Sequence, residues 1–134
     1  MLYLDTAALV KLVRREAESE ALADWLDERG GAARVASMLV EVELPRAIMR
    51  VEPTLLQAVP AVLARLDRYE IDEVVRAAAA AMPDPLLRTL DAIHLATASS
   101  IFGAGLEAFV SYDHRLLDAA DLLGLPIASP GRPS

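Results

Sequence analysis

Four carboxylates stand at points where the chain could gather them into one site. Asp5 follows the short apolar run at residues 2–4, and Asp113 follows a second apolar run late in the chain. Glu43 and Asp91 lie in segments whose apolar residues recur at helical spacing. Carboxylates held in one crevice repel one another, which raises the pKa of some of them and destabilises the site unless a cation joins them. A hard divalent metal ion is the simplest such cation.

The rest of the composition leaves oxygen as the ligand atom. The chain has no cysteine, which excludes disulfides, thiol nucleophiles and cysteine zinc sites, and its two histidines are too few for a histidine-rich metal site. Carboxylate oxygens and water suit Mg²⁺, with Mn²⁺ as the alternative. If the two apolar runs are parallel strands, their carboxyl ends form the crevice in which open α/β sheets place their sites.

Length and composition predict one folded domain over residues 1–134, with a short tail at about 130–134. No apolar stretch reaches the roughly 18 to 20 residues that cross a bilayer, and no basic leader precedes the first strand-like run, so we expect a cytoplasmic protein without a membrane partner. The net charge of −7 argues against attraction of nucleic acid to the whole surface, although it is compatible with a local basic face.

Apolar runs alternate with helical patterns along the chain, which predicts a parallel sheet covered by helices on both faces. The expected fold class is therefore α/β, a three-layer α/β/α sandwich with a central parallel sheet. Thr6 and Ser37 are the predicted N-caps of the helices that follow them. The expected strands are residues 2–5, 34–36, 69–71, 108–112 and 126–128. The expected helices are residues 6–16, 20–28, a segment around Glu43, 54–66, 72–82, 86–102 and 113–123.

The helix around Glu43 holds two acids and a proline. Glu41 and Glu43 are about 200° apart around a helix, so both cannot face one metal ion. Pro45 lacks an N–H and its ring crowds the carbonyl of Glu41, so we expect a kink at this point.

Four stretches of the sequence carry a resemblance to a known family. In chain order they are LYLDTAALVKL, SMLVEVELPRA, LRTLDAIHLATA and FVSYDHRLLDAA. They resemble the signature stretches of the PIN-domain family and, more narrowly, of the VapC toxins of bacterial type II toxin–antitoxin systems. The resemblance implies a metal-dependent endoribonuclease of α/β/α architecture that a cognate VapB-like antitoxin holds inactive.

The resemblance also assigns the acids. The family's catalytic, metal-binding positions fall on Asp5, Glu43, Asp91 and Asp113, and it favours Glu43 over Glu41. We expect Asp5 and Asp91 to bind the metal directly, and Glu43 and Asp113 to share it or to act through water. One metal ion or two are both compatible with this set.

Two hydroxyls support these acids in the resemblance. The hydroxyl that follows the first acid falls on Thr6, and the one two residues before the last acid falls on Ser111. We expect them to orient bound water or the scissile phosphate. Ala7 departs from the pattern, because many relatives have serine there, which removes a supporting donor but no ligand.

Basic residues on two predicted helices are the expected RNA contacts. Arg46 and Arg50 lie three and seven residues after Glu43 and so share its helical face, and Lys11 with Arg14 forms a comparable stripe on the first helix. A solvated basic face without a ligand is the alternative interpretation of both stripes.

Apolar surface predicts protein partners as well. The mean hydropathy is +0.33, and the helix at residues 9–13 is apolar on more than one side. Both indicate more apolar surface than one core needs, which is typical of an interface. We expect a homodimer and a groove near the first two helices. The family resemblance implies that the groove receives the antitoxin.

Other interpretations remain open at this point. Asp5 and Asp113 could serve only as helix N-caps, and His94 could bond a backbone or carboxylate neighbour rather than act in catalysis. A noncatalytic PIN-like interaction module is one alternative function. An aspartate-based phosphohydrolase is a weaker alternative, because Ala7 stands where its second acid belongs.

Overall fold

A computed structural model describes residues 1–133 and contains one sheet of five strands. The strands are β1 (Leu2–Leu4), β2 (Arg34–Ser37), β3 (Asp67–Tyr69), β4 (Ala108–Val110) and β5 (Ile127–Ala128). They lie in the order β3-β2-β1-β4-β5, and each neighbouring pair is parallel. The predicted parallel sheet is confirmed.

Helices connect these strands. They are α1 (Thr6–Val13), α2 (Ser19–Asp27), α3 (Val40–Val51), α4 (Val59–Leu63), α5 (Glu73–Ala80), α6 (Thr89–Thr97) and α7 (His114–Leu122). A 3₁₀ segment, Pro53–Ala58, precedes α4, and a π-helical turn, Ala98–Phe102, extends α6. None of the helices in the described part of the chain is long and apolar enough to cross a membrane.

Alternation along the strands builds a core on each face of the sheet. Leu2 and Leu4 pack with buried residues of α1 to α4, whereas Tyr3 points to the other face and packs with residues of α6 and α7. All three side chains are fully buried, because a central parallel strand is covered on both sides. The result is the predicted three-layer α/β/α arrangement.

The position of β1 at the centre of the sheet fixes where a site can form. The chain leaves β1 towards β2 on one side, and β4 occupies the other side with Leu4 opposite Val110. The strand order therefore changes direction between β1 and β4, and such a switch point is where open α/β sheets leave a crevice at the carboxyl ends of their strands. Asp5 and Ser111 follow these two strands directly.

Two predicted N-caps are wrong. The cap of α1 is Asp5, not Thr6, because the extended backbone at Asp5 lets its carboxylate accept a hydrogen bond from the Ala8 N–H at 2.9 Å. Ser37 belongs to β2, and α3 begins at Val40. The Ser37 hydroxyl still accepts the Leu39 N–H at 3.2 Å, just before that helix begins.

The helix predicted for residues 86–102 begins later, at Thr89. Asp84 precedes a proline, and its carboxylate accepts the Leu86 N–H at 2.9 Å while its carbonyl accepts the Leu87 N–H at 3.2 Å. This local turn uses the backbone groups that an earlier helical turn would need. The helical region ends where Gly103 adopts a positive φ of 46°.

The first helix packs most of its apolar side chains against the core. Leu9 is buried, and Val10, Leu12 and Val13 are half-buried and pack against the core. The surplus apolar surface expected on this helix stays a prediction. The large apolar side chains that are exposed are Val42, Met49, Val51, Val74, Leu86, Leu90, Leu122, Leu123 and Ile127.

Candidate active site

Asp5 is the buried acid of the crevice, with only 2% of its surface exposed. Its Oδ1 accepts the Ala8 N–H as the cap of α1, and its Oδ2 accepts the Ser111 hydroxyl at 2.5 Å. The cap and the catalytic interpretations of this residue are therefore not exclusive. Oδ1 caps the N-terminus of α1, and Oδ2 binds Ser111 just after β4.

Burial raises the pKa of Asp5 from its ordinary value of 3.8 to about 6, and the charge of Asp113 adds to the rise. The hydrogen bond from Ser111, the charge of His94 and the Ala8 N–H act in the opposite direction. The ionised form of Asp5 is thus costly in this position, and a nearby cation would lower that cost.

Ser111 joins two of the acids. Its hydroxyl donates to Asp5 and accepts the Asp113 N–H at 3.1 Å, while its carbonyl accepts the Ser129 hydroxyl at 2.7 Å. Asp113 is exposed, and its Oδ1 caps α7 by accepting the Arg115 N–H at 3.0 Å. Ser111 therefore links the Asp5 carboxylate to the backbone N–H of Asp113.

Glu43 enters the site from α3, which continues through Pro45. Its Oε1 accepts the Thr6 hydroxyl at 2.7 Å and contacts His94 Nε2 at 2.6 Å. Burial raises the pKa of Glu43, but the hydrogen bond and charge of His94 and the bond from Thr6 outweigh it, so the pKa is lowered. Glu41 instead pairs with Arg68 at 2.8 Å, which separates the two acids as their spacing requires.

Asp91 lies in the first turn of α6 and is partly exposed. Burial raises its pKa, the charges of Asp113 and Glu43 add to the rise, and the charges of His94 and Arg88 oppose it. The charges of the other acids therefore act on Asp91, which keeps part of its surface exposed to solvent.

Tyr3 completes the site from beneath, and sequence reasoning missed it. Its hydroxyl lies 2.6 Å from His94 Nδ1 and accepts the Ser37 N–H at 3.2 Å. His94 thus bonds a carboxylate neighbour, Glu43, as the structural interpretation of this histidine expected. A tyrosine within a buried aliphatic strand is the signal that could have found this contact, because its hydroxyl must find a partner.

The donor chemistry fits a hydrated divalent cation. Within residues 1–133, no three acidic or histidine side chains come together closely enough to hold a metal ion directly. Mg²⁺ retains several waters and usually takes only one or two protein carboxylates, so such a cluster is not required. Burial and neighbouring acids raise the pKa of Asp5 and of Asp91, so a cation beside them would favour the ionised form of each.

The predicted basic stripes differ in their surroundings. Lys11 pairs with Glu18 at 2.8 Å, and Arg14 pairs with Glu52 at 3.2 Å. Arg46 and Arg50 are exposed and, with Met49, line a surface depression of about 270 Å³. The basic groups of α3 are therefore more available to a polyanion than those of α1.

A separate groove lies beside the first two helices. It has a volume of about 280 Å³. Leu12 of α1, Leu26 of α2 and Val62 of α4 give it apolar walls. Its charged lining consists of Arg34, Arg65 and Asp27, and Asp27 lies 3.9 Å from Arg34. An apolar segment would match the walls, and an acid on it could pair with Arg65.

Comparisons with known proteins identify a family and relatives of this chain. The model of the PIN domain family matches residues 2–122. Ribonuclease VapC35 of Mycobacterium tuberculosis is 59% identical over 133 residues, covering 98% of each chain, and ribonuclease VapC46 of the same species is 41% identical over 129 residues, covering 96% of this chain and 97% of the relative.

Two solved structures share the fold at low sequence identity. VapBC2 from Rickettsia felis, bound to a DNA fragment from its promoter, superposes with a TM-score of 0.72 at 14% identity and covers 97% of this chain and 99% of the other. VapC20 of Mycobacterium tuberculosis, described as a Sarcin-Ricin loop cleaving toxin, has a TM-score of 0.71 at 13% identity and covers 93% and 96%.

Proposed function

The chain belongs to the PIN domain family, among the VapC proteins, and on that premise we propose that it is an endoribonuclease toxin. It cleaves RNA phosphodiester bonds with Mg²⁺ or Mn²⁺, and a cognate VapB-like antitoxin neutralises it. The observation that carries this proposal is the electrostatic coupling of four acids at the carboxyl ends of the strands: the charge of Asp113 raises the pKa of Asp5 and of Asp91, and the charge of Glu43 raises that of Asp91.

Asp5 and Asp91 are the proposed direct ligands, because burial raises the pKa of each and a cation relieves that cost. Glu43 and Asp113 are proposed to share the ion or to act through water, each with the oxygen that does not carry its protein hydrogen bonds. The bound ion would supply positive charge for the phosphoryl transition state and would lower the pKa of a water molecule.

The chain's own residues orient these acids. Ser111 holds Asp5 through Oδ2, and Thr6 holds Glu43 through Oε1. Both contacts fix a carboxylate before substrate arrives, so less conformational freedom is lost during the reaction. The hydroxyls are therefore proposed to orient the carboxylates themselves, in addition to water or phosphate.

RNA is proposed to reach the crevice along α3. Arg46 and Arg50 are exposed on the helix that also carries Glu43, and arginine binds phosphate through two parallel hydrogen bonds. Lys11 and Arg14 remain weaker candidates, because bound phosphate would have to displace Glu18 and Glu52.

The groove between α1, α2 and α4 is the proposed antitoxin site. Its apolar walls suit a short VapB-like segment, and an acidic residue on that segment could pair with Arg65, since Asp27 already lies beside Arg34. A homodimer is proposed to cover part of the exposed apolar surface, and the chain is proposed to act in the cytoplasm as a single domain.

Cleavage of structured RNAs tests the function. The wild-type chain should cleave with Mg²⁺ or Mn²⁺ and stop when a chelator is added. Asp91→Asn should abolish this cleavage, whereas Asp121→Asn, which changes an exposed acid of α7, should leave it intact. Chelator-resistant cleavage, or equal activity in both variants, would contradict the assignment.

One observation favours a second candidate, a noncatalytic PIN-like interaction module. In the described residues no three acidic or histidine side chains form a direct metal cluster. A calorimetric titration with Mn²⁺ separates the two candidates, because the interaction module should show no saturable binding that depends on Asp91.

A further inference from the structure

A line of hydrogen bonds runs beneath the crevice and ends on one oxygen of Glu43. The Ser37 N–H donates to the Tyr3 hydroxyl at 3.2 Å, and that hydroxyl lies 2.6 Å from His94 Nδ1. His94 Nε2 in turn lies 2.6 Å from Glu43 Oε1. The four residues come from β2, β1, α6 and α3, so the line joins four elements of the fold.

Chemistry fixes the direction of the contact at Glu43. Glu43 Oε1 accepts the Thr6 hydroxyl, and an imidazole N–H at Nε2 is the donor that the 2.6 Å contact between His94 and the same oxygen requires. The Tyr3 hydroxyl can serve His94 Nδ1 in either charge state of the ring, as donor or as acceptor.

Packing fixes the positions of both rings. Tyr3 is fully buried and stacks on Phe109 with ring centroids 5.1 Å apart and planes 6° from parallel. His94 is 2% exposed and meets the Tyr3 ring edge-on at 5.9 Å. Polar atoms buried this deeply are costly unless they are paired, so the Tyr3–His94 contact is held firmly once formed.

From this geometry we propose that Tyr3 and His94 are positioning residues for Glu43. They hold Oε1, together with Thr6, and leave Oε2 to face the cation and water of the crevice. Within residues 1–133, the hydrogen bonds to this carboxylate all fall on Oε1. The inference rests on the proposed metal-dependent function and assigns it two residues that touch neither the ion nor the RNA.

Four variants test this role. Tyr3→Phe removes the hydroxyl and keeps the stacked ring, and Tyr69→Phe is its control, because it removes a tyrosine hydroxyl outside this line. His94→Gln keeps an N–H donor that can reach Glu43, and His94→Leu keeps bulk without a donor. Thermal unfolding establishes that each variant is folded before the other measurements are made.

The first readout is Mn²⁺ affinity, measured by calorimetry without RNA, and the second is the separation of kcat from KM. Tyr3→Phe and His94→Leu should each lose about 10- to 100-fold in Mn²⁺ affinity or kcat, the usual effect of removing a hydrogen-bond partner of a ligating group, with KM for RNA unchanged. His94→Gln should lie closer to wild type than His94→Leu. Tyr69→Phe should match wild type.

Two results would overturn the inference alone. Tyr3→Phe and His94→Leu could bind Mn²⁺ and turn over as wild type does, or His94→Gln could lose as much as His94→Leu, which would assign the loss to packing. A wild-type chain that neither binds Mn²⁺ nor cleaves RNA is a different result, because it removes the proposed function and this role together.

Discussion

The Ser111 hydroxyl donates to Asp5 Oδ2 although the two residues lie 106 positions apart in the sequence. Pairing of β1 with β4 makes this contact, since each residue follows one of the two strands. Ser111 is also the strongest single influence that lowers the pKa of Asp5 against the effect of burial. The pairing of two strands therefore controls the ionisation of the central acid.

Replacing this hydroxyl should move the pH dependence of metal binding. Without the donor, the ionised form of Asp5 is less stabilised, so its pKa should rise above the present value of about 6. Binding that requires the carboxylate should then begin at a higher pH in Ser111→Ala. Mn²⁺ titrations between pH 5 and 8 measure this shift. Ser100→Ala, which changes an exposed serine, should leave the profile in place, and an unmoved profile in Ser111→Ala would contradict the role of the hydroxyl.

Asp5→Asn should stabilise the metal-free protein above pH 6. The folded pKa of Asp5 is raised from 3.8 to about 6, so its cost to stability is absent below the lower value and complete above the higher one. This shift corresponds to about 3 kcal/mol at most. Asparagine also caps helices well, so the contact with Ala8 should survive.

Urea unfolding in chelator at pH 4 and pH 7.5 measures this effect. The variant should gain about 1 to 3 kcal/mol over wild type at pH 7.5 and much less at pH 4. Asp24→Asn, on the exposed side of α2, is the matched control and should show no such difference. A gain of the same size at both values of pH would exclude ionisation of Asp5 as the cause.

Removing Arg46 and Arg50 together should weaken RNA binding across unrelated sequences. The dependence of log affinity on log salt should flatten by roughly 0.7 for each phosphate of a single strand that the variant no longer neutralises, while Mn²⁺ affinity stays unchanged. Arg14→Ala provides the comparison, because its guanidinium is already paired with Glu52. An equal decrease of slope in Arg14→Ala would mean that the RNA follows α1 instead.

Replacing Gly131, near the C-terminus, should destabilise the protein. This glycine has a φ of 86°, and a Cβ built on it would lie 2.8 Å from the Cβ of Ala21. Gly131→Ala should cost about 1 to 3 kcal/mol, from the left-handed backbone and the close contact, as measured by urea unfolding. Gly31→Ala is the control, since a Cβ there meets nothing within 4 Å. Equal stability of the two variants would contradict the close contact between Gly131 and Ala21.

Local sequence patterns predicted the edge of the sheet at which the site lies. Asp5 and Asp113 follow apolar runs, and helical spacing showed that Glu41 and Glu43 cannot face one metal ion. The family resemblance, not the spacing, favoured Glu43. The N-cap of α1 was misplaced by one residue because Asp5 and Thr6 are both good capping residues. Their order along the chain alone does not decide between them.

Contacts between distant elements could not be inferred in the same way. The bond from Tyr3 to His94 depends on how α6 packs over β1, and the pairing of Arg14 with Glu52 depends on how α1 packs beside the end of α3. Neither contact follows from the spacing of residues within one element. The sequence identified the charged groups, but their partners could be identified only from the folded structure.

The central position of β1 has a consequence for biosynthesis. Asp5 leaves the ribosome at the start of translation, but its neighbour strand β4, with Ser111 and Asp113 just beyond it, leaves only near the end. A nascent chain that stops at Gly105 has one edge of β1 unpaired and lacks both residues. The hydrogen bond that joins Ser111 to Asp5 can therefore form only when almost the whole chain has been synthesised.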